Sequence, residues 1–83
     1  MTYTDRKLTL DCPATYQIEI QGYLDDHWSE WFDGMSIEPK VYSQEMCITK
    51  LTGTVLDQAA LHGVLRKLYD LGMPLLSVSC IRT

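Results

Sequence analysis

Apolar and polar residues alternate from Tyr16 to Leu24. Tyr16, Ile18, Ile20, Gly22 and Leu24 fall on one side, with Gln17, Glu19, Gln21 and Tyr23 on the other. That period of two predicts a strand with one buried and one wet face. Gly22 interrupts the apolar row and marks a bulge or a close backbone approach. The pattern then changes. Asp25-Asp26 precedes His27-Trp-Ser-Glu-Trp-Phe-Asp33, with Trp28, Trp31 and Phe32 at i, i+3 and i+4 and Gly34 behind them. This spacing predicts a short helix, capped by an aspartate, stopped by a left-handed glycine and held down by its aromatic rings.

Met35-Ser-Ile-Glu38 predicts a second strand cut short by Pro39, and Lys40–Gln44 a polar connector. Glu45–Thr54 predicts a third strand. Its faces are mixed: Met46 and Ile48 share one side, interrupted by Lys50, and Cys47, Thr49 and Leu51 share the other. Either both faces are partly covered or a bulge switches the register near Lys50.

Beyond Asp57, a helix N-cap, Leu61, Val64, Leu65, Leu68 and Leu71 form one apolar stripe at helical spacing. Gln58, His62, Arg66, Lys67 and Asp70 point away from it, and Gly72 followed by Pro74 ends the helix. Gly63 lies mid-helix, which close backbone packing would explain. The last strand is Leu75–Arg82, with Leu76, Val78 and Cys80 on one face. Ser77, Ser79 and Ile81 join the wet face.

The order strand, short helix, strand, strand, long helix, strand predicts an α+β fold. It is the ferredoxin-like β-α-β-β-α-β sandwich, a four-stranded antiparallel sheet with helices on one face. Residues 1–14 read as a flexible N-terminal segment, a short extended piece at Lys7–Leu10 being the alternative, and residues 15–83 as a single domain.

At 83 residues the chain has material for one core and little left for an enclosed active site. Eleven acids against seven bases leave a formal charge of -4, and the bases are scattered. Such a surface does not suit nucleic acid, and no apolar run is long enough to span a membrane. Three widely spaced cysteines, Cys12, Cys47 and Cys80, without a signal peptide point to a reducing cytoplasm rather than a disulfide framework. His27, His62 and the cysteines never adopt a metal-ligand spacing, so no metal or cofactor is expected. Neither a nucleophile elbow nor a phosphate-binding loop is present, which points away from an enzyme.

Two groups of residues remain as candidate binding sites. Trp28 and Trp31 are a candidate anchor for a partner, since tryptophan is enriched at interface hot spots. Asp57, Gln58 and His62 lie at the start of the long helix, where a polar ligand would meet unpaired amides. The leading expectation is a non-enzymatic cytoplasmic module that binds a protein partner, a copy of itself, or both. The alternative is a small-ligand site or small enzyme using Trp28, Asp57, Gln58 and His62.

Two segments, Leu24-Asp-Asp-His-Trp-Ser-Glu-Trp-Phe32 and Asp57-Gln-Ala-Ala-Leu-His-Gly63, resemble a family of short uncharacterised bacterial proteins. The resemblance covers roughly residues 16–82 and implies no activity, cofactor or site residue.

Overall fold

The computed structural model of the chain describes residues 9–82. Residues 1–8 of the expected flexible segment lie outside the described residues, and so do the Lys7–Leu8 half of the alternative extended piece and Thr83. Within residues 9–14 the chain contacts the domain at two points. The Leu10 carbonyl accepts the Gln58 N–H at 2.9 Å, and Ala14 is already buried in the first strand.

The strands are β1 (Ala14–Gln21), β2 (Ser36–Val41), β3 (Cys47–Val55) and β4 (Leu75–Arg82). One α-helix, α1 (Gln58–Asp70), joins β3 to β4. The strands form one sheet in the order β2-β3-β1-β4, and every neighbouring pair is antiparallel. β3 therefore lies between β1 and β2, and β1 between β3 and β4. The result is a small α+β fold with one open antiparallel sheet and one helix.

The expected first helix does not form as an α-helix. Two separate 3-10 turns, Asp26–Trp28 and Glu30–Phe32, take its place. Each closes through i→i+3 bonds: Trp28 to Asp25, Ser29 to Asp26, Phe32 to Ser29 and Asp33 to Glu30. The physical reason is length. Asp33 at φ 58 and Gly34 at φ 77 turn the chain left-handed after only seven residues. Too few i→i−4 bonds remain to offset the cost of an α-helical nucleus.

Strand bounds also shift. β1 starts at Ala14 and stops at Gln21, so Tyr23 and Leu24 lie beyond it. Gly22 turns the chain out at φ 125, and a Cβ there would meet the Met73 sulfur at 2.9 Å. The close approach expected at this glycine is therefore present. β2 is not cut at Pro39 but runs through it to Val41. It can do so because β2 is an edge strand, where a missing N–H costs no ladder bond if it points outward. The connector shrinks to a turn in which Tyr42 and Ser43 both donate to the Met46 carbonyl.

β3 carries no bulge at Lys50; its register is continuous against β1 and β2. Thr49, Leu51 and Val55 face the core, while Lys50 lies on the wet face between Glu19 and Glu38. The irregularities occur in β4 instead. There Leu76 and Ile81 are extra residues against β1, and Leu76 is half exposed rather than aligned with Val78 and Cys80. Ser77 and Ser79 pair with Glu19 and Gln17 on the wet face, and the Ser77 hydroxyl donates to Glu19 at 2.9 Å.

The core joins Tyr16, Ile18, Ile20, Leu51 and Val55 of the sheet to Leu61, Val64 and Leu68 of α1. Phe32 and Met35, from the 3-10 segment and its exit, complete it. The helix ends as its sequence predicts. Asp57 accepts the Ala60 N–H at 2.8 Å. Beyond the last turn, Gly72 donates to Tyr69 and Met73 to Leu68, the double bond of a Schellman stop. Gly63, by contrast, is exposed with no neighbouring atom within 4 Å, so backbone packing does not account for it. Close packing falls at Gly53, where a Cβ would lie 2.8 Å from Met35 Cγ.

Candidate functional site

The 3-10 segment is built outward from Thr49, the only buried polar residue among those described. Its hydroxyl accepts the Leu24 N–H at 3.1 Å and donates to the Gly22 carbonyl at 2.7 Å. The Gly22 N–H in turn reaches the Cys47 carbonyl at 2.8 Å. These bonds fix where the chain leaves β1. Asp25 then caps the first turn by accepting the His27 N–H at 3.0 Å. At the far end Ser29 ties the segment to its exit, its hydroxyl donating to the Met35 carbonyl at 2.8 Å.

Phe32 projects from this frame into the core and is fully buried. Trp28 and Trp31 remain 38% and 42% exposed. The rings form a chain: Trp28 to Trp31 at 5.2 Å, then Trp31 edge-on to Phe32 at 5.2 Å. Buried Phe32 thus anchors a partly open tryptophan pair. Lys67 of α1 completes the arrangement. Its ammonium donates to the Trp31 carbonyl at 2.6 Å and lies 5.6 Å from the Trp31 ring centroid.

Asp57, Gln58 and His62 lie elsewhere. Lys67, which touches Trp31, is nine residues along α1 from Gln58, about 14 Å at helical rise. Asp57 serves as the helix cap. Gln58 turns inward, and its side-chain amide donates to the hydroxyl of buried Tyr16. His62 is exposed and makes no hydrogen bond or ion pair with the described residues. Helical spacing alone placed Gln58 and Lys67 on the outward face. Both instead reach back, because each side chain is long enough to find a polar atom at the rim of the core.

Two of the clefts among the described residues can be placed. One, of about 240 Å³, lies on the wet sheet face and is lined by Glu19, Glu38, Lys40, Tyr42, Ile48 and Lys50. The other, of about 360 Å³, lies beside Asp33, Thr54, Val55, Leu56 and Ala60. Neither includes a tryptophan, Gln58 or His62. Asp25, Asp26 and His27 bring three donor atoms within 4.8 Å of one another, but the Asp25 carboxylate already bonds the His27 amide and ring. Capping accounts for that cluster. Cys47 and Cys80 stand on different strands, Cys80 buried beside Tyr16 and Cys47 half-buried opposite Val41.

Thr49 and Lys67 were not singled out by the sequence pattern. A threonine in a β-branched strand and a lysine on a polar helix face are both ordinary. Their roles depend on the loops that fold over them.

These features define a small α+β domain with an open antiparallel sheet and an aromatic turn at its rim. The chain belongs to the family described as a domain of unknown function, DUF8691, whose profile matches residues 15–79. No curated protein and no solved structure matches it significantly. No helix among the described residues is long and apolar enough to cross a membrane.

Proposed function

We propose that this chain is a non-enzymatic cytoplasmic interaction module, a reduced ferredoxin-like sandwich that grips a basic segment of a protein partner through Trp28 and Trp31. The observation that carries the reading is the half-open tryptophan pair, held in place by buried Phe32 and by Lys67. Rings needed only for the core would be covered, as Phe32 is. Rings held rigid yet exposed carry little ordering cost when a partner covers them.

The surrounding charge suggests the partner's chemistry. Asp25, Asp26, Glu30 and Asp33 all lie in the tryptophan segment, and the ammonium of Lys67 is engaged with the Trp31 carbonyl. A guanidinium can stack on an indole face while the carboxylates neutralise it. The ferredoxin-like reading rests on the strand order, in which β3 separates the parallel β1 and β2, with 3-10 turns replacing the first crossover helix.

The test is titration of the full chain with an arginine-rich peptide and with an acidic peptide of equal length, followed by tryptophan fluorescence. Saturable, salt-sensitive binding of the basic peptide alone is expected, and Trp28→Ala should weaken it more than it weakens folding. Equal loss of binding and stability, or no preference between the peptides, overturns the proposal.

A further inference from the structure

The two edges of the sheet are guarded very differently. β2, at one edge, carries Pro39 with Glu38 and Lys40 beside it. Proline and charge are the usual devices that stop an edge from pairing with another chain. β4, at the other edge, has no proline, and its single charge is the terminal Arg82. From Leu75 to Ile81 it contains no charged residue and no proline. Among the described residues it pairs only with β1, so its outward N–H and C=O groups have no strand partner there. Leu75, Leu76 and Ile81 stand 50%, 49% and 37% exposed along it.

We propose that β4 is a self-association edge, pairing antiparallel with β4 of a second copy to make one continuous eight-stranded sheet. Charge selects the occupant. A chain of formal charge -4 repels its own copy, so a self-contact needs a stretch free of carboxylates. β4 has none, whereas the other edge, β2, carries Glu38. Symmetry sets the register. A two-fold axis perpendicular to the sheet keeps both helices on one face, and residues of like parity then oppose each other. Centring on Val78 sets Val78 against Val78 and Ser77 against Ser79. Leu75 of each copy then lies opposite Ile81 of the other along the strand. The two register breaks flank this centre at Leu76 and Ile81 and leave Ser77–Cys80 regular.

The test is the solution mass of the full chain by sedimentation and light scattering, from micromolar to near-millimolar concentration. The mass is expected to rise from 9.5 kDa toward twice that value. The double variant Leu76→Lys, Ile81→Lys should weaken the dimer by an order of magnitude or more while keeping the far-ultraviolet circular dichroism. Trp28→Ala should leave dimerisation intact, so this proposal and the partner reading fail separately. A wild-type chain that stays monomeric throughout, or a lysine variant that dimerises as well as wild type, overturns it. Amide exchange on the wild type provides a measurement that needs no variant. Protection of residues 75–82 that rises with concentration supports the pairing, and protection independent of concentration overturns it.

Discussion

Replacing Thr49 by valine changes one oxygen for one methyl group and keeps the shape of the side chain. Hydrophobicity and strand propensity both favour the change, since Thr49 is fully buried in a central strand. The hydrogen bonds point the other way. The hydroxyl is the acceptor for the Leu24 N–H and the donor to the Gly22 carbonyl. Leu24 is 3% exposed, so its amide has no easy access to water and its loss costs about 1–3 kcal/mol. The Gly22 carbonyl is half-buried and recovers some hydration, costing roughly 1 kcal/mol. Less than about 1 kcal/mol returns from the added apolar group. The net expectation is a loss of about 2–3 kcal/mol, a large fraction of the stability of a domain this small. Thr49→Ser keeps both bonds and loses one methyl, for about 1 kcal/mol. Urea unfolding followed by far-ultraviolet circular dichroism measures both. Valine should lower the midpoint more than serine, with the denaturant slope unchanged. A valine variant as stable as wild type, or a serine variant less stable than valine, would refute the reasoning.

Two glycines should respond in opposite directions. Gly53→Ala should destabilise by about 1–3 kcal/mol through overpacking, because its Cβ would meet Met35 at 2.8 Å and the Met35 backbone at 3.3 Å. In a Met35→Ala background the same substitution should cost little, which a double-mutant cycle by thermal unfolding reads directly. Gly63→Ala should instead stabilise by about 1 kcal/mol, raising the melting temperature by roughly 4–8 °C, since that site is open and helical.

The first strand and the long helix were legible in the sequence because each has one face to bury and a repeat that declares it. Alternation at Tyr16, Ile18 and Ile20 placed β1, and the spacing of Leu61, Val64 and Leu68 placed α1; all six are buried. Asp57 and Gly72 marked the ends of that helix because capping depends only on neighbours a few residues away. Family membership over residues 15–79 likewise follows from sequence.

Tertiary structure decided the rest. Pro39 ends a strand in an isolated reading, but β2 sits at the sheet edge and runs through it. Strand position is set by pairing with distant residues, so no local signal could reveal it. The aromatic spacing at Trp28, Trp31 and Phe32 suggested a helix, but the forced exits at Asp33 and Gly34 left only 3-10 turns. Gln58 and Lys67 looked solvated until Tyr16 and the Trp31 carbonyl arrived beside them from across the fold. Periodicity tells which face of an element is apolar; contacts between residues far apart in the chain decide which polar atoms that face will meet.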